Sequence, residues 1–286
     1  MPHYYKPHPD GTCHLVKSVP MVSDPTRFRE PNLGDARRMG LLGSTTTVTA
    51  CWDKKGLEHY KEKQHGEAGV RRALAAVENN EPVYDGNGGI CEGLLRDVRE
   101  SGRAHAEAAA DLGTRVHKAL EQGDIDELYD SRQYPFETEL HGRVLTLYRR
   151  GVNWMRENTT ADLKAEWSIW HPMGYAMTLD WLGRIGEQPW IIDYKTRGTK
   201  GGKAAKYDPD GLQLAAACLA VKHWTGLDCK AGNLIISTSE DVVVFSDWTD
   251  DLYRMTDAWR HLHYTWCLLN KYVPVIEFEE QEQEAA

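Results

Sequence analysis

Hydrophobic and polar positions alternate most regularly in two runs of the second half of the chain. The first run, Tyr175 to Ile185, and the second, Trp190 to Lys195, have β-strand character, and the stretch between them, Gly186 to Pro189, has turn composition. The pattern therefore predicts a β-hairpin. Its first strand carries Asp180 among apolar neighbours, and its second strand carries Asp193.

Elsewhere the spacing of apolar residues separates helices from strands. Helices are predicted over 53–66, 67–78, 92–121, 139–157, 208–223 and 249–272, and strands over 165–170, 233–237 and 242–245. Asp208 is expected to be the N-cap of its helix, with Pro209 in the first turn.

The start of the chain shows little periodicity. Residues 1–43, rich in Pro, Gly, Asp and Arg, predict an extended arm or irregular lead-in, and 44–50 predict a short strand or the start of a helix. The order of elements predicts an α/β protein with a mixed central sheet flanked by helices. Three regions are expected: an N-terminal arm and helical region (1–91), the core (92–276) and an acidic tail (277–286).

Asp193 and Lys195 are two residues apart, so a strand places both side chains on one face. If the hairpin forms, Asp180 projects toward the same point. Carboxylates and an ammonium grouped among apolar strands are costly to bury, and such a cluster is typical of a site for a divalent metal and a phosphate. Simpler alternatives are a turn cap or a pair with Arg184 for Asp180, and a plain ion pair between Asp193 and Lys195.

Charge and composition narrow the classes of function. The chain has 286 residues and a net charge of -9, which argues against a general nucleic-acid coat but leaves room for a local basic strip. One such strip follows the hairpin directly. It is interpreted as a clamp for a phosphate backbone or, alternatively, as a solvated loop, and its cations include Arg197, Lys200, Lys203 and Lys206.

The six cysteines form no CxxC pair, so no local zinc ribbon or clustered iron–sulfur site is predicted. Scattered thiols are typical of a reducing compartment. We expect no signal peptide and no membrane span, because no apolar run approaches about 18 residues. The expected location is the cytoplasm.

Several motifs together resemble a known family. Asp180, a twelve-residue spacer and Asp193-Tyr194-Lys195 resemble the signature of the PD-(D/E)XK nuclease superfamily. Residues 113–121, GTRVHKALE, look like the GxxxH…E helix motif of its RecB-like branch, and Gln213 stands where that branch carries a helical Gln. Residues 44–48 and 57–60 are similar to phage exonucleases related to the mitochondrial genome maintenance exonuclease. The resemblance spans roughly residues 44–245.

The resemblance implies a restriction-endonuclease-like core and a metal-dependent DNA nuclease. It implies Mg²⁺ or Mn²⁺ as cofactor, and Lys195 as the group that positions or activates the attacking water. Gln213 would brace the site or touch the substrate. No iron–sulfur cluster is expected, because the four flanking cysteines of some relatives have no counterpart here. The implied metal ligands are His117, Asp180, Asp193 and the carbonyl of Tyr194.

Without the resemblance, two interpretations remain open for each of three supporting residues, His117, Gln213 and Glu166. His117 is a ligand or a packed or capping histidine, and Gln213 contacts the substrate or braces its helix. Glu121, one turn after His117, is predicted to orient the imidazole ring. Glu166 is predicted to lie behind the metal ligands or simply at the surface.

The leading functional prediction is a DNA exonuclease that hydrolyses phosphodiester bonds and prefers single-stranded DNA or free ends. The exonuclease and single-strand parts come from the resemblance, which also suggests a bacterial or phage-infected cell as the setting. Two alternatives remain open. One is a structure-specific or restriction-like endonuclease of the same chemistry, and the other is a module of this fold that binds DNA without cutting it.

Overall fold

A computed structural model describes residues 2–50, 66, 69–85, 87–122 and 138–274. Contacts divide the chain into two compact units, one formed by Met1–Trp52 with His117–Ala286 and the other by Asp53–Val116. The boundary predicted after residue 91 does not coincide with this division. The helix predicted from Asp53 and the acidic tail predicted from residue 277 lie outside the described residues, apart from Gly66.

The described elements are given in chain order. The strands are β1 (Tyr4–Pro7), β2 (Cys13–Leu15), β3 (Val19–Met21), β4 (Asp24–Arg29), β5 (Leu42–Ser44), β6 (Ala161–His171), β7 (Tyr175–Ile185), β8 (Gln188–Arg197), β9 (Lys230–Ser237) and β10 (Val243–Asp247). The helices are α1 (Leu33–Met39), α2 (Thr45–Thr49), α3 (69–78), α4 (Glu92–Gln122), α5 (Thr138–Asn158), α6 (Asp208–Thr225) and α7 (Leu252–Leu269), with a 3₁₀ turn at Thr249–Asp251.

Eight of the strands form one mixed sheet in the order β10-β9-β8-β7-β5-β1-β2, with β6 also paired to β7, while β3 and β4 form a separate ribbon. The hairpin is present as predicted: β7 and β8 are antiparallel, with Trp181 opposite Ile192. β9 then runs parallel to β8, and β5 runs parallel to β7. The predicted α/β class with a mixed central sheet flanked by helices is therefore confirmed.

The interpretation of residues 1–43 as an irregular arm is wrong. β1 pairs with β5, and β5 pairs with β7, so the first strands of the chain extend the central sheet. These strands are three or four residues long and are stabilised by partners distant in sequence. Such short segments leave too little alternation for a local pattern to show them.

The prediction of Asp208 as an N-cap is also wrong, by one residue. Tyr207 has the extended backbone of the capping position, and Asp208 begins α6 with Pro209 in the first turn. For residues 44–50 the structure favours the helix start, because the Ser44 side chain accepts the backbone N–H of Thr47 and caps α2.

Apolar side chains cover both faces of the sheet. On one face, Tyr175, Leu179 and Ile191 pack with the buried residues of α6 and α7. On the other, Trp181 and Ile192 pack with side chains that include Trp154 of α5. Because both faces are covered, a polar cluster among the strands can reach solvent only where the sheet opens.

The second unit is described in part. Within it, Arg72 of α3 donates to Asp97 of α4 at 3.0 Å and to Glu81 of the intervening loop at 2.6 Å. These ion pairs tie the loop to both helices. Among the described helices, none combines the length and the hydropathy that crossing a bilayer requires.

Candidate active site

The sheet forks at β7. Strand β6 pairs with one edge of β7 from Ala161 opposite Arg184 to His171 opposite Tyr175, so β8 and β5 must share the other edge of β7. On that edge, β8 pairs with residues 181–185 and β5 pairs with residues 175 and 176. Residues 177–180 therefore have no ladder partner there, and the backbone opens between the two neighbouring strands.

A cavity of about 210 Å³ lies at this fork. Asp180, Asp193 and Lys195 of β7 and β8 line it, together with residues from the N-terminal part of the chain. The predicted site residues His117 and Gln213 line the same cavity. The N-terminal lining residues are His3, Tyr5, Ser44, Thr45 and Thr46.

Asp180 lies partly buried at the open end of the hairpin, with its side chain 16% exposed. Its Oδ2 accepts the backbone N–H of Tyr194 at 2.7 Å. Burial and the neighbouring charge of Asp193 nevertheless raise the pKa of Asp180 to about 7. Loss of water around the carboxylate is the larger cause, and the second carboxylate beside it adds to the shift.

Asp193 and Lys195 form the ion pair that their spacing predicts. The Lys195 ammonium lies 2.9 Å from Oδ1 and 2.7 Å from Oδ2 of Asp193, with both side chains about a quarter exposed. Burial alone would lower the pKa of Lys195, but Asp193 and Asp180 outweigh it and raise that pKa. Lys195 is thus held as a cation.

His117 reaches the cluster from α4. Its Nδ1 lies 3.8 Å from Oδ2 of Asp180, too far for a direct hydrogen bond, and its ring meets the ring of Tyr194 edge-on at 6.1 Å. Burial lowers the pKa of His117, while Asp193 and a hydrogen bond with the backbone of Tyr194 oppose that shift. A neutral imidazole is the form that binds a metal.

The two outer carboxylates, Glu121 and Glu166, lie beside this group. Glu166 lies opposite Asp180 on the neighbouring strand, but the two residues form no ladder pair. The pairs on either side of them are Ala165 with Trp181 and Trp167 with Leu179. Its backbone is left-handed, with φ of 47°, which is strained for a non-glycine residue. Desolvation, then the charges of Glu121 and Asp180, raise the pKa of Glu166 to about 8.

The donor atoms here suit a hard divalent cation. Among the described residues, no three His, Cys, Asp or Glu side chains already stand together as a metal-binding group. In the described part of the chain no lysine or arginine is paired with Asp180, because the nearby Lys195 ammonium is bonded to Asp193. Carboxylate oxygens beside a neutral imidazole are ligands that Mg²⁺ and Mn²⁺ accept, so the residues fit such an ion.

Sequence reasoning missed Asn233 and Trp248. Asn233 on β9 donates from Nδ2 to Oδ2 of Asp193 at 2.7 Å, and Trp248 donates from Nε1 to Oδ1 of Asn233 at 2.7 Å. The available signal was a polar side chain in the otherwise apolar run Asn233 to Ile236. A buried amide in such a run indicates a specific hydrogen-bond partner.

The basic strip after β8 is ordered by acidic partners. Arg197 is paired with Asp210 at 2.6 Å, and Lys206 with Asp251 at 3.1 Å. The Glu240 carboxylate accepts the backbone N–H groups of residues 201 and 202. The predicted DNA contacts of Arg197 and Lys206 would therefore compete with internal ion pairs. The hydrogen bonds described for Lys200 and Lys203 connect the backbones of these two residues to each other.

Comparison with known proteins gives similarities to solved structures only. No family model matches the chain, and no curated protein matches it. A crystal structure from Eubacterium rectale, of a protein assigned provisionally as an exonuclease, is similar with a TM-score of 0.44 and 11% identity. The similarity covers 65% of this chain and 74% of that chain, and it concerns the fold alone.

Proposed function

We propose that this protein is a divalent-metal-dependent nuclease that hydrolyses phosphodiester bonds of DNA, acting as an exonuclease on single-stranded DNA or free ends. The observation that carries the proposal is the meeting of Asp180, Asp193, Lys195 and His117 in one cavity at the fork of the sheet. The exonuclease mode and the choice of DNA come from the motif resemblance.

In this proposal, Mg²⁺ or Mn²⁺ would be held by Asp180 and Asp193, with His117 and the carbonyl of Tyr194 as further ligands. When bound, the ion polarises the phosphate and lowers the pKa of a bound water. Lys195, held as a cation, orients that water and offsets the charge that develops on the phosphate. Gln213, which lines the same cavity, contacts the substrate or braces α6.

The test uses end-labelled single-stranded DNA blocked at one end or the other, a closed single-stranded circle, and RNA of the same sequence. Each substrate is incubated with Mg²⁺, Mn²⁺ or EDTA. We expect short products from one free end, an intact circle and no cleavage in EDTA. A linearised circle would instead identify an endonuclease, and preferential cutting of the RNA would overturn the choice of DNA.

Two variants assign the chemistry to the site. Asp193→Asn keeps the shape of the side chain and should lose cleavage while retaining DNA affinity. Glu187→Gln removes one exposed carboxylate at the turn of the same hairpin and should cleave at the wild-type rate. Wild-type cleavage by the Asp193→Asn variant would remove the hairpin cluster from the mechanism. DNA binding without any cleavage by the wild type would favour the non-cleaving module.

A further inference from the structure

Asn233 lies beside the carboxylate of Asp193 because the two residues are register partners on parallel neighbouring strands. Parallel partners project to the same face of a sheet. The Asn233 side chain donates from Nδ2 to Oδ2 of Asp193 at 2.7 Å, and the residue is 1% exposed. The donor end of this hydrogen bond is therefore shielded from water.

The orientation of the Asn233 amide is fixed from its other end. An indole N–H donates only, and Trp248 Nε1 donates to Oδ1 of Asn233 at 2.7 Å. The amide nitrogen must then face Asp193. A flipped amide would set two donors against each other and turn a carbonyl oxygen toward a carboxylate, so only one arrangement satisfies all three groups.

Trp248 is itself held in place. It is 2% exposed, and its backbone N–H donates to the carbonyl of Ala231 at 2.9 Å. A Cβ at Gly211 of α6 would lie 2.6 Å from the indole, so the helix packs directly on the ring. The Lys206 ammonium lies 4.8 Å from the ring centroid. The indole has little room to rotate.

We propose that Asn233, oriented by Trp248, is a positioning residue that fixes the plane of the Asp193 carboxylate for metal binding. The torsion of a carboxylate about its last bond is broad, and Lys195 alone, at 2.9 and 2.7 Å from the two oxygens, does not select one rotation. The hydrogen bond from the Asn233 side chain to Oδ2 selects one rotation of the Asp193 carboxylate. This inference rests on the proposed function.

A purely structural role for Asn233 makes a different prediction. Leu234, Ile235 and Ile236, which follow Asn233 on β9, are fully buried, so an apolar residue of the same shape would suit the packing. If the amide served only the fold, its loss would change thermal stability but not metal affinity at a temperature where the protein is folded. The metal affinity therefore separates the two roles.

The experiment compares the wild type with Asn233→Leu, which keeps the branched shape and removes both hydrogen bonds. Mn²⁺ affinity is measured by calorimetry without DNA, and kcat and KM are measured well below the unfolding temperature. We expect the Mn²⁺ dissociation constant to rise by about tenfold or more and kcat to fall similarly, with KM for DNA nearly unchanged. Trp248→Phe, which keeps most of the packed ring, should shift both quantities in the same direction by about threefold.

The outcomes separate this inference from the function on which it rests. Wild-type protein that neither binds Mn²⁺ nor cleaves DNA would overturn the proposed function and this inference together. Wild-type protein that does both, beside a folded Asn233→Leu variant with unchanged Mn²⁺ affinity and kcat, would overturn this inference alone. If Asn233→Leu does not fold, Trp248→Phe decides: unchanged Mn²⁺ affinity and kcat in that variant overturn it.

Discussion

Asp35, which is buried, and Asp180, which is largely buried, are carboxylates of the same structural unit with opposite shifts in pKa. Asp35, 3% exposed, accepts hydrogen bonds from Arg29 at 3.2 Å and Arg38 at 2.9 Å, and from the backbone N–H of Asn32 at 3.0 Å. Burial would raise its pKa, but these donors lower the pKa of Asp35 to about 2. Asp180 has one backbone donor and a carboxylate neighbour, and its pKa is raised to about 7.

The two carboxylates differ in how far their charge is balanced by partners within the protein. Asp35 closes the capping box of α1 with Asn32, so its charge is fully used within the protein. Among the described residues, no lysine or arginine is paired with Asp180, which lines a cavity where a metal would supply positive charge. Burial alone does not distinguish the two residues, but the identity of their partners does.

The largest expected effect comes from Asp180→Asn. We predict that cleavage falls by about 10³-fold or more, because a ligand of the proposed metal is lost. The metal-free variant should unfold at or above the wild-type temperature, since a repelled carboxylate has been removed. Steady-state kinetics and thermal denaturation in EDTA measure the two effects. A variant that stays active, or that unfolds well below the wild type without metal, would contradict the contrast with Asp35.

Metal addition should stabilise the protein through Asp180 and not through Asp35. At a Mn²⁺ concentration about 100 times its dissociation constant, the free energy of unfolding should rise by about 2.7 kcal/mol. The same rise is expected for Asp35→Asn, and little or none for Asp180→Asn. Denaturant titrations with Mn²⁺ and with EDTA provide the measurement, and an equal rise in all three proteins would place the metal elsewhere.

Asp35→Asn should behave in the opposite way to Asp180→Asn. We expect the free energy of unfolding to fall by about 2 kcal/mol, because the capping box and two charge-assisted bonds are weakened. Cleavage at 25 °C should remain at the wild-type rate, since the residue is not part of the cavity lining. Urea denaturation and steady-state kinetics test both statements, and a loss of activity without a loss of stability would refute them.

The pH dependence of stability should show the sign of the Asp35 shift. Its folded pKa of about 2 is below its ordinary value of 3.8, so its contribution is complete above 3.8 and is lost as the pH falls toward 2. The stability difference between the wild type and Asp35→Asn should therefore be constant from about pH 7 to 5 and shrink below about pH 4. A difference that grows on acidification would have the wrong sign.

The smallest effects concern the basic strip. Lys200→Ala and Lys203→Ala should each weaken the affinity for single-stranded DNA by a few fold. Each should also reduce the slope of log affinity against log salt concentration by about 0.7. Asp241→Asn, on the exposed loop before β10, serves as a control for altered charge. Unchanged salt dependence in both lysine variants would remove the strip from the DNA path.

The centre of the site could be predicted from the sequence because its parts are local. A hairpin needs only two alternating runs and a turn, and alternation places Asp193 and Lys195 on one face. The position of His117 was suggested by the motif resemblance, and the structure brings it to 3.8 Å from Asp180.

The rest depends on contacts between distant segments. Strand β5 pairs with β7 across more than a hundred residues, so no local pattern shows that the N-terminal segment lines the cavity. The left-handed backbone of Glu166 arises from a break in the pairing of β6, which its composition does not reveal. Likewise, the acidic partner of Lys206 lies 45 residues further along the chain.

The most direct test of the account is the anomalous diffraction of a crystal grown with Mn²⁺. The account predicts a single strong peak within coordination distance, about 2.2 Å, of carboxylate oxygens of both Asp180 and Asp193. His117 should contribute a nitrogen ligand, and the peak should vanish in Asp180→Asn. A crystal of active protein with no Mn²⁺ between these two carboxylates would contradict the account.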